Sequence, residues 1–332
     1  MDIQQINENL YRIPIPVPFP MKYVYCYLLR GREGWDLIDT GLTYAAAQEA
    51  WKAAFANLSL DPRDVRAIYL THFHPDHVGL AGWMQQWTGA PVWISREDMQ
   101  MVHRVWGQDS QQSKHMGEMF RKNGMPVALT EQIVANMDIL TKSVQPLAEM
   151  SPFNDEDVVL GDEQWKAIPT PGHSDGHLCF YQPQKRLLIS ADHIMEKITP
   201  NISLWPGCRP NPLQDYLESL EKMRELDVDL ALPGHGGVIT RFSDRIGEII
   251  QHHEERVEKM YTLAQGGRTA YQVAEAVFRE KELTPHQWRF AMAETLAHLE
   301  FLAAQGRLLK REETEIVYDA AGDAASRTAL SP

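Results

Sequence analysis

Over the first 95 positions the apolar residues fall into short runs broken by turns, with two helical stretches among them. VYCYLLRG (24–31) and WDLIDTG (35–41) predict paired strands across an Arg-Glu-Gly turn. The Ala-rich TYAAAQEAWKAAFANL (43–58) predicts a helix with Thr43 as its cap. DVRAIYLTH (64–72) predicts a strand, GLAGWMQQW (79–87) a helix and PVWIS (91–95) a further strand. Strands alternating with helices in this way predict a layered α/β domain.

The pattern changes at 96–150, where Gln and Met are frequent and the apolar spacing is helical. This segment predicts a helical insertion, and its Met residues with Trp106 and Phe120 suit an apolar lid or wall. Strand signals return at DVVL, QWKAIPTPG, HLCFYQP, KRLLISAD and VDLALPG. Beyond about Thr240 the spacing is helical again. RIGEIIQHHEERVEKMYTLA (245–264) and GGRTAYQVAEAVF (266–278) precede a long helix that runs from a Thr284 cap, with Pro285 at its first position, to Gly306. A short strand pair closes the chain. Three helices and a β-wing in that order predict a winged-helix-like module. The expected organisation is therefore a domain over 1–240 containing the 96–150 insertion, a winged-helix-like domain over 241–320, and a disordered tail over 321–332.

Charge narrows the function. A net charge of −13 disfavours a general nucleic-acid binder, which needs clustered Lys and Arg. Residues 241–332 carry 12 Lys and Arg against 15 Asp and Glu. Arg268, Arg289, Arg307 and Arg311 could still form a local patch. No apolar stretch approaches the roughly 18 residues of a membrane span, and the N-terminus has no secretory pattern. Cys26, Cys179 and Cys208 form no CxxC pair and no even-numbered framework. A reducing, cytoplasmic setting follows, with these thiols as packing residues.

The chemistry concentrates in THFHPDHVG (71–79), which holds three histidines and an aspartate in six consecutive positions. LIDTG (37–41), PTPGHSDGH (169–177), SADHIM (190–195) and LPGHGG (232–237) share its character: each follows an apolar run and sets His or Asp beside a tight turn. Imidazole and carboxylate are ligands of Zn²⁺, Mn²⁺ and Fe²⁺. One tetrahedral ion cannot take every donor in HFHPDH together with distant ones, whereas two ions about 3.5–4 Å apart can.

These residues resemble the metallo-β-lactamase superfamily, whose HxHxDH signature is His72-Phe-His74-Pro-Asp76-His77 here. The resemblance covers about residues 10–240. It implies a sandwich of two mixed sheets flanked by helices (αββα). It also implies one metal held by His72, His74 and His173, a second held by Asp76, His77 and His235, and Asp192 linking the two. Asp39 would orient a ligand histidine. The two ions would be divalent, zinc first and Mn²⁺ or Fe²⁺ as alternatives. A hydroxide bridging them would be the nucleophile, with Asp76 or Asp192 handling the proton. A donor set composed only of His and Asp is similar to that of hydroxyacylglutathione hydrolases and related ribonucleases, so true β-lactamase activity is disfavoured.

Outside this set, His193 is expected either near the site or in packing, and His177 in a structural role. His252, His253, His286 and His298 are expected at the surface or in packing. No GxSxG, P-loop or GxGxxG is present. Hydrolysis of a small-molecule ester, thioester or lactone is the first expectation. Phosphodiester or endoribonuclease cleavage is the alternative, and a winged-helix nucleic-acid-binding regulator the third. The C-terminal module is expected to pack on the catalytic domain or on the second subunit of a homodimer.

Overall fold

The computed structural model describes residues 2–18, 20–312 and 314–321. The tail expected over 321–332 therefore lies, after Ala321, outside the described residues. Seven strands form the first sheet in chain order: β1 (Gln4–Gln5), β2 (Leu10–Pro16), β3 (Tyr23–Arg30), β4 (Trp35–Ile38), β5 (Val65–Tyr69), β6 (Val92–Ser95) and β7 (Met150–Phe153). Pairing is antiparallel up to β4 and parallel from β4 to β7. The second sheet contains β8 (Asp157–Leu160), β9 (Glu163–Pro169), β10 (Leu178–Gln182), β11 (Leu187–Ala191) and β12 (Leu230–Pro233), in the order β12-β11-β10-β9-β8. Only β11 and β12 pair in parallel.

Side-chain alternation makes this a sandwich. Tyr27 and Leu29 of β3 meet Phe180, Ile189 and Leu232 of the second sheet in one buried cluster between the sheets. Their neighbours Cys26, Leu28, Cys179 and Leu188 point the other way, into the apolar cluster shared with the helices. Strands buried on both faces read as continuous apolar runs, as β10 (LCFYQ) and β11 (LLISA) do. This is the expected αββα arrangement, with two mixed sheets flanked by helices.

Helix α1 (Ala45–Asn57) begins one residue later than a Thr43 cap would place it; its N-cap is Tyr44, which makes no side-chain capping bond. The Thr43 hydroxyl instead donates to Gly79 O at 2.7 Å, because the start of α1 abuts the turn after the histidine motif. That turn contains α2 (Pro75–Val78) and leads into α3 (Ala81–Thr88). The insertion is helical as expected: α4 (Arg96–Trp106), α5 (Gln112–Lys122) and α6 (Val127–Ser143). Helix α7 (Pro212–Arg224) is not among the expected elements, although Asn211 as cap and Pro212 at the first position are a legible start signal.

The C-terminal helices are α8 (Phe242–Ala264), α9 (Ala270–Phe278) and α10 (Pro285–Ala304). Thr284 caps α10 in a full capping box with Gln287. The closing pair β14 (Leu308–Glu312) and β15 (Ile316–Ala320) gains a third strand, β13 (Arg268–Thr269). Helix α10 packs on α6, α7, α8 and α9. From Ala291 to Leu302 every residue is buried except the half-buried Glu294 and Glu300. One apolar cluster extends from Ile13 through Met292 and Leu296 to Tyr318, so the C-terminal helices share their core with the rest of the chain. No described helix is long and apolar enough to cross a membrane.

The shared core has a measurable consequence. Leu296 is 1% exposed, and Leu296→Ala should cost about 2–5 kcal/mol. In urea, tryptophan fluorescence and far-UV circular dichroism should shift together to a lower midpoint. A separate early transition confined to the C-terminal helices would contradict a common core.

Candidate metal centre

Parallel pairing brings the polar turns together. Strands β4 and β5 end side by side, as do β11 and β12, so Asp39, the His72 turn, Asp192 and His235 all leave their sheets at one edge. This is where α/β folds gather ligand-binding loops. Backbone bonds join the two sheets at the same edge: Leu178 N to Thr71 O at 2.9 Å and Tyr25 N to Gly234 O at 2.7 Å. A register shift between Ile189 and Ala191, with Ala191 at φ +43, re-aims the chain so that Asp192 enters the site.

All seven histidines and aspartates expected as ligands meet here. His74 Nδ1 lies 2.9 Å from His173 Nε2, and the rings of His72 and His74 are 4.8 Å apart and nearly perpendicular. His235 Nε2 lies 3.2 Å from Asp76 Oδ2 and 3.5 Å from Asp192 Oδ2. His77 Nε2 lies 3.4 Å from Asp192 Oδ1. Three groups place one donor atom per residue within 4.8 Å of one another: His72, His74 and His173; His72, His77 and Asp192; and Asp76, His77 and His235.

The opposite nitrogen of four rings is held by a partner outside the cluster. His72 Nδ1 is 3.0 Å from Thr71 Oγ1, His77 Nδ1 is 2.7 Å from Asp39 Oδ2, His173 Nδ1 is 3.0 Å from Asn201 O and His235 Nδ1 is 2.9 Å from Tyr23 O. An N–H donated outward leaves the Nε2 lone pair of each ring facing inward. His72 Nε2, His77 Nε2, His235 Nε2 and Asp192 Oδ1 are buried and make no hydrogen bond. Buried polar atoms are rarely left unmade, and these four are the donor types a divalent cation takes. The cluster therefore fits a metal.

Electrostatics agree. Burial lowers the basicity of His72, His74 and His173, which keeps them neutral lone-pair donors. Burial would also lower His77 and His235, yet the carboxylates of Asp192 and Asp39 raise the first well above the usual range, and Asp192 with Asp76 raises the second. Burial would raise Asp192, but His235, His77 and His173 hold it well below the usual carboxylate range. Without a cation, the carboxylates draw protons onto their nearest imidazoles. A divalent ion would supply the same positive charge.

Asp39 does orient a histidine, as expected. Its Oδ2 accepts from His77 Nδ1 and, at 2.8 Å, from Thr71 Oγ1, while its Oδ1 accepts from Thr71 N at 2.8 Å. His177, buried against Thr170 Oγ1 at 2.8 Å, and His193, fully buried, line no part of the cavity over the cluster. His253 and His298 are buried in packing. His286 departs from expectation by lining the cavity wall. Trp106 also lines it, with Nε1 on Phe73 O at 2.8 Å, whereas Phe120 is buried elsewhere in the core. Cys26 and Cys179 are buried and Cys208 half-buried, all three raised by burial, so none serves as a nucleophile.

Asp98 is a functional residue the sequence analysis missed. At the start of α4, its Oδ2 accepts from Phe73 N at 3.0 Å and Ser174 Oγ at 2.6 Å, and its Oδ1 from Gly176 N at 2.8 Å. It thereby clips the His72–His77 turn to the turn bearing His173. Its signal was legible only as a helix start, Ser95 capping Asp98 N. Burial raises its pKa to about 7 against those three bonds. A raised folded-state pKa contributes stability that is complete below the unfolded value, near 4, and lost as pH rises through about 7. The stability of wild type relative to Asp98→Asn should thus fall by up to about 4 kcal/mol between pH 4 and pH 8. Urea unfolding across that range measures it; a flat difference would remove the raised pKa.

Known proteins place this geometry. A model of the metallo-beta-lactamase superfamily matches residues 20–235, and one described as the metallo-beta-lactamase-like C-terminal domain matches residues 257–319. The crystal structure of a metallo-beta-lactamase family protein from Thermus thermophilus superposes with a TM-score of 0.85 at 34% identity, covering 95% of this chain and 100% of that one. The probable metallo-hydrolase YqjP of Bacillus subtilis is 25% identical over 89% of this chain and 92% of its own length. The atrochrysone carboxyl ACP thioesterase of Aspergillus fumigatus is 22% identical over 69% of this chain and 55% of its own length. Two matched domains and a likeness running the length of the chain agree with the buried His and Asp cluster: this chain belongs to the metallo-β-lactamase superfamily and is one of its enzymes.

Proposed function

We propose that this enzyme is a dinuclear metal-dependent hydrolase of a small acyl compound, an ester, thioester or lactone. His72, His74 and His173 would hold one ion and Asp76, His77 and His235 the other, with Asp192 shared by both. Zinc suits this donor set best, and Mn²⁺ or Fe²⁺ also fit it. When bound, a pair of such ions makes water a nucleophile at neutral pH and polarises the scissile carbonyl.

The chain's own residues do the rest. Asp39, Thr71, Asn201 and Tyr23 fix the orientation of the imidazoles from outside. Both oxygens of Asp192 are turned toward His77, His173 and His235, which commits it to holding the cluster. Asp76 is the more exposed carboxylate, with a side chain 14% exposed against 9% for Asp192. Asp76 or Asp192, both of which line the cavity, would pass the proton to the leaving group.

The observation that carries the substrate class is the cavity. A space of about 460 Å³ opens on His74, Asp76, His173, Asp192 and His235. Its walls are mainly apolar, including Trp106 and Leu140 from the insertion, Ile198, Trp205 and Phe290. A small, mainly apolar chamber suits an acyl group, and the thioesterase relative is consistent with it. Phosphodiester cleavage and DNA reading find less support. From Ala291 to Leu302 helix α10 is buried apart from the half-buried Glu294 and Glu300, so this stretch offers no free face to a groove. Arg307 pairs with Glu258 and Arg311 with Asp319, while Arg289 is buried, so three of the four arginines do not form a basic patch.

Metal analysis of the purified protein should find about two transition-metal ions per chain, and about one in His235→Ala. A wild-type content of one ion would sink the dinuclear reading. In a panel of acyl thioesters, aryl esters, lactones and bis-aryl phosphates, an acyl compound should be turned over fastest. Asp192→Ala should lose about 100-fold or more of that activity, since partners one shell further out already cost 10–100-fold. Turnover confined to the phosphodiesters or RNA would reverse the assignment.

A further inference from the structure

Two guanidinium groups are buried among the described residues, and they are treated very differently. Arg12, 1% exposed, has oxygen acceptors on both terminal nitrogens: it donates to Gly236 O and Gln4 Oε1 and lies over the ring of Tyr25, and only its Nε lacks a partner. Arg289, 4% exposed, is in the first half of α10 and lines the cavity over the His and Asp cluster. No described carboxylate pairs with it. The acid nearest in its helix, Glu294, is taken by Arg256 at 2.9 Å and by Asn201 at 2.8 Å. Arg289 has only Met137 Sδ, 3.0 Å from Nη1, and the ring faces of Phe290 and Trp205, 4.2 and 5.4 Å from Cζ.

That is an expensive arrangement to leave unfilled. Withdrawing a guanidinium from water costs several kcal/mol, normally offset by a paired negative charge. A thioether is a weak acceptor, and among the described residues Met137 Sδ is the one protein acceptor for the five N–H donors of Arg289. Burial lowers its pKa only to about 10, so it is charged at neutral pH. The position is also close to the chemistry. The ring of Trp205 is 6.4 Å from that of His74 and 5.4 Å from Arg289 Cζ, so one tryptophan separates the cation from the cluster. In a chain of net charge −13, this is a local reversal of sign inside the chamber.

We infer that Arg289 is a specificity residue that receives an oxyanion of the substrate, a carboxylate or phosphate, while the scissile acyl carbon lies at the His and Asp cluster and an apolar segment rests on Trp205. This rests on the acyl-hydrolase reading and deepens it: the substrate is an amphipathic acyl compound, not a neutral ester. The planar fork of a guanidinium matches a carboxylate or phosphate through two parallel bonds. The rings of Phe290 and Trp205 hold that fork in place without neutralising it.

Two matched pairs of substrates test this on the metal-loaded enzyme. One pair is octanoyl thioester against the monothioester of octanedioic acid, with the same thiol. The other is the octanoyl thioester of a thiol bearing a hydroxyl against the same thiol bearing a phosphate monoester. In at least one pair the anionic member should have a kcat/KM about 10- to 100-fold higher, the range of a hydrogen bond to a charged group. Which pair responds tells whether the anion belongs to the acyl or the leaving side. Arg289→Met should bring that ratio close to one. Arg289→Lys, which keeps the charge but not the fork, should leave an intermediate ratio and serves if the Met variant does not fold. Equal turnover of both members of each pair by wild type would overturn the inference and leave acyl hydrolysis standing. If no thioester is turned over, calorimetry decides the anion separately, and the acyl reading rests on the ester and lactone panel. Octanoate should bind wild type about 10-fold more tightly than octanamide, with the difference lost in Arg289→Met. Equal affinities, or a difference that survives the substitution, would overturn it.

Discussion

The buried carboxylate of Asp39 is the interaction from which the rest of the centre is built. It is 1% exposed and sits at φ +61, a conformation costly for a residue with a side chain. Its bonds to Thr71 N, Thr71 Oγ1 and His77 Nδ1 offset that cost and its own desolvation. Because the Thr71 hydroxyl donates to Asp39, its oxygen can accept from His72 Nδ1. One carboxylate thus sets the orientation of a ring in each half of the cluster. The parallel pairing of β4 with β5 makes this contact possible, since it ends both strands at the same level.

A second layer ties distant parts of the chain to that centre. Asp98 binds the two histidine turns from the insertion side. From the C-terminal side, Arg256 and Glu294 form a half-buried pair, Glu294 accepts from Asn201 Nδ2, and Asn201 O accepts from His173 Nδ1. The helices after residue 240 therefore contribute more than bulk. They share the core, brace a ring of the cluster through Asn201, and supply Arg289 and Phe290 to the cavity wall. Burying charged groups in this way adds little net stability. It fixes geometry instead, which a catalytic centre needs within fractions of an ångström.

Much of this was legible beforehand, and unevenly. The five turns bearing His or Asp stood out because each followed an apolar run, and those runs became strands ending at one edge. The Thr284 cap and Pro285 placed the start of α10 correctly because capping is a local interaction. Thr43 carried the same local signal and misled, since its hydroxyl found Gly79 across the fold before it found its own helix. Helix α7 carried the same kind of local start signal at Asn211-Pro212, between two of the motif turns. By sequence Arg289 could form a local basic patch; nothing in its neighbours along the chain says that its own side chain is buried.

By itself the sequence determined the layered α/β class, which His and Asp residues cluster, and the acidic character of the chain. These depend on periodicity, residue type and count, which are properties of the chain in one dimension. The tertiary structure alone decided which ring nitrogens face inward, that Asp98 and Asn201 hold the turns, and that an unpaired guanidinium shares a chamber with the cluster. Those facts depend on contacts between residues up to about two hundred positions apart, such as His235 with Tyr23 and Arg289 with Met137. Such contacts are set by sheet pairing and by the burial of a common core, and no local spacing encodes them.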